Sequence, residues 1–154
     1  MHKKIIAITG PSGSGKTTLT EALLSYYNFL IPTHTTTRPR RIDDKDGFYH
    51  YLSCEQFEFL KNKDQFLICS GANNRSYGIL KQDCFDAWQK TDTILLNVSY
   101  KDIATLTALP YDVSLIALTF KNIKQGILTR IHTTDRMLSN MEVLARIKGA
   151  LLDH

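Results

Sequence analysis

The sequence predicts an α/β fold, a mostly parallel sheet with helices on both faces, and three features of the residue order predict it. Thr93-Ile94-Leu95-Leu96-Asn97-Val98 is a nearly continuous apolar run, as a central strand buried on both faces requires, and Ile5–Ile8 and Val113–Phe120 read the same way. Segments of helical spacing separate such runs, so strand and helix alternate along the chain. The third feature is Gly10-Pro11-Ser12-Gly13-Ser14-Gly15-Lys16-Thr17-Thr18, which joins the first strand to the first helix and fits Gly-x-x-x-x-Gly-Lys-[Ser/Thr].

Glycines let successive backbone N–H groups converge on one anion at the positive end of a helix, which is the need of a phosphate group. Lys16 adds a point charge for the β- and γ-phosphates, and the Thr17 hydroxyl is a ligand for Mg²⁺. Residues 10–18 therefore form a candidate site for ATP with Mg²⁺.

The helix that follows runs from Thr17 to Asn28, with Leu19, Ala22, Leu23 and Leu24 at helical spacing. Phe29–Pro32 reads as a short second strand. Thr35-Thr36-Thr37-Arg38-Pro39-Arg40-Arg41 is polar and basic, and is expected to be a surface loop or a site wall. Ile42–Gly47 is a charged turn, and Phe48–Leu52 has strand composition. Ser53 with Gln56 forms a capping box that starts a helix at Cys54, carrying Phe57, Phe59 and Leu60.

Gln65–Ser70 is a further strand, followed by the polar Gly71–Ser76 and then Tyr77-Gly78. Leu80, Cys84, Phe85 and Trp88 fall on one face of a helix over 80–89, which places the Trp in the core. After the apolar strand at 93–98, Ser99 caps a helix over 100–106. Val113–Phe120 supplies another buried strand, and 122–130 a helix. Ser139 with Glu142 forms a second capping box, before a helix carrying Val143, Leu144, Ile147 and Leu151.

The chain has one domain's worth of residues, without repeat or low-complexity tract. Nineteen basic against 15 acidic residues give a net charge of +4, which suits phosphorylated small molecules. The charge is too dispersed for nucleic acid, which leaves ATP and a small acceptor as the expected partners. Cys54, Cys69 and Cys84 lack the spacing of a metal site or redox pair and read as reduced thiols. The first apolar run stops at Gly10, too short for a secretion signal, and no segment reaches membrane-spanning length, so the expected location is the cytoplasm.

The order of these motifs resembles the guanylate kinase family, from the glycine-rich loop almost to the C-terminus. Gly10–Leu19 is similar to that family's opening, and Thr36-Thr37-Arg38-Pro39-Arg40-Arg41 to its Thr-Thr-Arg-x-Pro-Arg segment with the Pro moved. The resemblance implies a P-loop NTPase fold in a single domain over 1–154, with an acceptor-binding insert near 33–79 and a lid near 131–139. It implies transfer of the γ-phosphoryl of ATP, with Mg²⁺, to a nucleoside monophosphate such as GMP or dGMP. Arg38 and Arg41 would grip the acceptor phosphate, a task suited to planar guanidinium groups. Tyr49 and Tyr77 match tyrosines that touch the same phosphate, His34 stands where the family has a nearby Ser, and Ser99 stands at an acceptor position on the central strand. Arg130, Arg136 and Arg146 fall at lid and post-lid arginines, and Arg136 and Arg146 join Lys16 as the expected catalytic residues.

The departures are specific. That family reads guanine with carboxylates at places held here by Ile68 or Cys69 and by Ser99, and Asn97 replaces an Asp at the end of the central strand. A buried N–H left without an acceptor costs about 1–3 kcal/mol, so these positions do not supply guanine recognition. The sequence also ends before a further strand and helix that the family carries.

Thr37-Arg38-Pro39 and Asn97-Val98-Ser99 are also similar to ribose 1,5-bisphosphate phosphokinases, which implies a sugar-phosphate acceptor as the alternative. A non-catalytic binding module of the guanylate-kinase-like kind is a third possibility from another functional class. The complete glycine-rich loop argues against it.

Overall fold

The structure, a computed structural model, describes residues 3–119 apart from 12, 43 and 73. In chain order its elements are β1 (Lys4–Thr9), α1 (Lys16–Tyr26), β2 (His34–Thr36), β3 (Tyr49–Tyr51), α2 (Cys54–Asn62), β4 (Phe66–Ala72), β5 (Arg75–Leu80), α3 (Lys81–Trp88), β6 (Thr93–Asn97), a 3-10 turn (Tyr100–Asp102), α4 (Ile103–Thr107) and β7 (Asp112–Ala117). The expected helix at 122–130, the lid at 131–139, the Ser139 capping box and its helix, and Arg130, Arg136 and Arg146 all lie outside the described residues.

Apolar runs make the first sheet. β1 lies between β6 and β7, and both pairings are parallel. Ile5, Ala7, Ile8, Ile94, Leu95 and Leu96 are buried, as a strand covered on both faces demands. β7 is less enclosed than its composition suggests, since Leu115 is 44% exposed. The expected strand at 29–32 shrinks to one bridge, in which Leu30 pairs with Ile94 at the outer side of β6.

β2 to β5 form a second sheet in the order β3-β2-β5-β4. The β2–β3 pairing is parallel, and β5 runs antiparallel to both β2 and β4. Two corrections follow. The basic stretch at 35–41 begins as strand β2, with Thr35 and Thr36 fully buried rather than on a surface loop. Residues 75–80 form a strand that pairs back onto β4, after a turn in which Asn74 takes a positive φ of 57°.

Ile68 and Ile79 of this second sheet share a hydrophobic cluster with Ile94, Leu96, Val98 and Leu106, so one of its faces is turned toward the end of β6. Trp88 is buried in the same cluster, as expected, and its ring lies 4.7 Å from that of Tyr111. Phe85, expected on the same face of the helix, is exposed instead and lies under the Lys3 ammonium at 4.7 Å. The Ser53–Gln56 capping box forms in both directions and starts α2 at Cys54.

Candidate active site

The glycine-rich loop leaves the carboxyl end of β1 and enters α1. Gly10, Gly13 and Gly15 have φ of 145°, 82° and 95°, values that L side chains rarely adopt. At Gly10 a Cβ would also stand 2.4 Å from the Leu118 carbonyl oxygen and 2.9 Å from Ser14 Oγ. Gly15 is the left-handed residue from which α1 starts, and it makes no side-chain cap. The first N–H groups of α1 thus need a partner from elsewhere.

Lys16 Nζ donates to the Gly10 carbonyl at 2.6 Å and the Pro11 carbonyl at 2.8 Å, so its ammonium is folded across the loop. Ser14 Oγ is buried and has no hydrogen-bond partner. A loop of glycines at positive φ, a curled-in ammonium and an orphaned hydroxyl fits a polyphosphate. Thr17 and Thr18 are exposed at the start of the helix, and Ser12 lies outside the described residues. No group of three His, Cys, Asp or Glu side chains among the described residues could hold a metal ion. A Mg²⁺ ion carried in with phosphate oxygens and touching Thr17 fits this donor set, because Mg²⁺ takes few protein ligands in such sites.

Thr20, one turn into α1, is buried and donates to Asn97 Oδ1 at 3.1 Å. That bond ties the helix to the end of β6, which flanks the central β1.

The second sheet gathers three of the expected acceptor residues, His34, Tyr49 and Tyr77, on one face. Directly paired residues project to the same side, so Tyr51, Thr36, Tyr77 and Ser70 form one row across β3, β2, β5 and β4. Two residues along, Tyr49, His34, Ile79 and Ile68 form the next row on that face. His34 Nδ1 is 3.0 Å from the Pro32 carbonyl, while its Nε2 is buried and unpartnered. Burial pushes the imidazole pKa down, opposed by the Pro32 and Asn97 carbonyls and then by the Asp83 charge.

Arg38 is 5% exposed and makes a two-point ion pair with Asp44, Nη1 to Oδ2 and Nη2 to Oδ1, both 2.6 Å. Its guanidinium lies 4.6 Å from the Tyr49 ring centroid and 5.7 Å from that of Tyr51. Asp44 Oδ2 also accepts the Tyr51 hydroxyl at 2.6 Å and the Arg41 backbone N–H at 2.7 Å. The Arg38 guanidinium, the Tyr51 hydroxyl and the Arg41 amide together hold the Asp44 carboxyl far below the usual carboxylate range. Arg38 is in turn pushed above its ordinary value, chiefly by Asp44.

Asp44 and Tyr51, the partners that hold Arg38, are residues that sequence reasoning missed. Tyr51 could have been found from Tyr49, two residues away on the same strand face. Nothing local marks Asp44, six residues beyond its partner.

Ser99 caps the 3-10 turn by accepting the Lys101 N–H at 3.3 Å, and it therefore sits on the loop that leaves β6. Ile68 is buried in the core and Cys69 is half-buried with its thiol pushed up by burial, so neither offers an anionic acceptor. Cys84 is deeply buried and its thiol is pushed up to about 12, which makes it an inert core residue. Among the described residues no helix is long and apolar enough to cross a membrane.

Comparison with known proteins agrees with this layout. Residues 2–147 match the sequence model of the family described as Guanylate kinase. The guanylate kinase of Mycoplasma genitalium is 34% identical over 117 residues, which is 73% of this chain and 49% of that protein. That of Bartonella quintana is 31% identical over 130 residues, covering 83% of this chain and 58% of that protein. The crystal structure of guanylate kinase from Anaplasma phagocytophilum superposes with a TM-score of 0.72 at 19% identity, covering 99% of this chain and 70% of that one, so it speaks for the fold. The chain spans about half the length of the curated relatives it matches. With a family match over most of its length and a loop of the right sequence and shape, the chain belongs to the guanylate kinase family.

Proposed function

We propose that this chain is an ATP-dependent phosphotransferase, moving the γ-phosphoryl of ATP onto the phosphate of a nucleoside monophosphate, GMP or dGMP first. The observation that carries the proposal is the complete phosphate loop on the same molecule as a sheet face bearing Arg38, Tyr49 and Tyr77. In this reading residues 33–79 are the acceptor-binding insert and 131–139 the lid.

Such a transfer needs no covalent intermediate; it needs in-line placement and charge neutralisation. Backbone N–H groups of the loop residues 10–18 other than Pro11, with the ammonium of Lys16, bind the β- and γ-phosphates, and Lys16 leaves its own carbonyl partners to do so. Mg²⁺, held by Thr17 and phosphate oxygens, supplies further neutralisation when bound. Arg38 and Arg41 grip the acceptor phosphate with Tyr49 and Tyr77, while His34 and Ser99 border the acceptor. Arg136 and Arg146 close over the donor, balancing the developing charge and keeping water away.

A coupled ADP-release assay with GMP, dGMP, other nucleoside monophosphates and ribose 1,5-bisphosphate tests this. Turnover with GMP and its loss in Lys16→Ala are expected, with a fall of at least about 100-fold. Turnover with the sugar phosphate alone would favour the second family, and absence of ATP binding in the presence of Mg²⁺ would favour a non-catalytic module.

A further inference from the structure

We propose that Asp44 is a positioning residue for the acceptor: its carboxylate takes one edge of the Arg38 fork and fixes the Arg41 backbone, so that the other edge of the fork faces the acceptor phosphate. This rests on the nucleoside monophosphate kinase assignment above and names a residue which that assignment does not use. Arg38 is almost wholly buried, so a guanidinium meant to seize a phosphate is already held before one arrives. The donors it has left decide how it can act.

A guanidinium carries five N–H donors in a rigid plane. Both protons of Nη1 are engaged, one with Asp44 Oδ2 at 2.6 Å and one with the Pro39 carbonyl at 3.0 Å. One proton of Nη2 goes to Asp44 Oδ1 at 2.6 Å. The second Nη2 proton and the Nε proton lie side by side on the adjoining edge, and neither Asp44 nor Pro39 uses them. Two parallel N–H groups are the arrangement that takes two oxygens of one phosphate. Asp44 therefore does not have to leave when the phosphate binds, and by filling its own edge it decides which way the other one points.

The same carboxylate gathers the rest of the phosphate-gripping set. Asp44 Oδ2 accepts the Arg41 N–H at 2.7 Å and the Asp44 N–H returns a bond to the Arg41 carbonyl at 3.2 Å, so the two residues hold each other twice. Oδ2 also accepts the Tyr51 hydroxyl at 2.6 Å. The Tyr51 and Tyr49 ring centroids are 5.9 Å apart, and the Tyr49 ring lies 4.6 Å from the Arg38 guanidinium. One carboxylate thus touches Arg38 and Arg41 directly and reaches Tyr49 through Tyr51. Its charge offsets part of the attraction of Arg38 for an anion, whereas the orientation it imposes removes the need to order a long side chain on binding. Four directed bonds of 2.6 to 2.7 Å place the balance with orientation.

Asp44→Asn keeps the size and one acceptor oxygen but gives up the two-point pair. Calorimetric titration of the full chain with GMP and, separately, with ATP and Mg²⁺ reads the two sites apart. GMP affinity is expected to fall at least about tenfold with ATP affinity unchanged, and Asp44→Glu, which restores a carboxylate, to recover part of the loss. A merely structural role would lower the folded fraction and leave the Kd of the folded protein for GMP where it was. GMP affinity that is unchanged or tighter in folded Asp44→Asn protein overturns the proposal, and tightening would make Asp44 a competitor of the phosphate. If that variant fails to fold, Tyr51→Phe decides, because it removes one bond to Oδ2 and keeps the ring: GMP binding weakened about threefold supports the proposal, and unchanged binding overturns it. An unmodified protein that binds no GMP removes the nucleotide-acceptor reading and this proposal with it, whereas GMP bound equally by parent and variant removes this proposal alone.

Discussion

Arg38 and Asp44 form a buried two-point ion pair, with both nitrogen–oxygen distances at 2.6 Å and side chains only 5% and 8% exposed. The pair locks the loop after β2 to the end of β3, because Asp44 also holds the Tyr51 hydroxyl and the Arg41 amide. Asp44→Asn leaves the Arg38 charge buried with a weaker partner. A loss of about 3 kcal/mol is expected by denaturant titration. The carboxyl is held below its unfolded value, so its contribution is complete above about pH 4 and fades as pH falls further through the depressed folded value. The variant is therefore expected to show a flatter stability curve than the parent below pH 4; parallel curves would refute the role given to this carboxylate.

Gly10 has no room for a side chain. Its φ of 145° is costly for any L residue, and a Cβ would lie 2.4 Å from the Leu118 carbonyl oxygen. That carbonyl cannot move cheaply, since the Leu118 N–H is bonded to the Thr9 carbonyl at 2.9 Å. Gly10→Ala is expected to lose about 2 kcal/mol or more and to lose ATP binding by calorimetry. Unaltered melting and ATP affinity would show that the loop tolerates another shape.

How far these features could be read from sequence depends on how local their causes are. The Ser53–Gln56 box closes over three residues, and the apolar runs of β1 and β6 announce burial on both faces, so all of them were legible. β2 was not, because Thr-Thr-Thr-Arg-Pro-Arg has the composition of a loop. Its burial comes from strands β3 and β5 on either side, with the Thr36 hydroxyl bonded to the Ser76 carbonyl at 3.0 Å. Distance along the chain hides the site's partners in the same way: Ser70 meets Asp102 across 32 residues, and Thr20 meets Asn97 across 77. Phe85 shows the converse, an apolar residue at helical spacing that stays exposed, with the Lys3 ammonium over its ring.

The Thr20–Asn97 bond fixes α1, and with it Lys16, against the end of β6. The same hydroxyl proton is shared with the Lys16 carbonyl, at 2.8 Å. Thr20→Val keeps the volume but leaves Asn97 Oδ1 without this donor, at an expected cost of about 1–2 kcal/mol in chemical denaturation. If the bond also positions the loop, turnover is expected to fall by more than acceptor affinity. A variant as stable and as active as the parent would show the contact to be incidental.

His34 sits in a row with Tyr49 and Ile79, its Nε2 buried and unpartnered, so the folded protein holds the neutral ring. The unfolded chain takes up a proton near pH 6.5, while the folded chain resists it to lower pH. Protons bound only by the unfolded chain pull the equilibrium away from the fold as pH drops, so stability is full above about 6.5 and declines below it until the folded value is reached. The Pro32 and Asn97 carbonyls and, less, the Asp83 charge limit the decline, but burial is the larger influence. His34→Gln removes the titrating group and keeps a side chain able to reach the Pro32 region. Melting temperatures taken between pH 7.5 and pH 5 should then fall less steeply than those of the parent, and an equal slope would assign the parent's acid sensitivity to other groups.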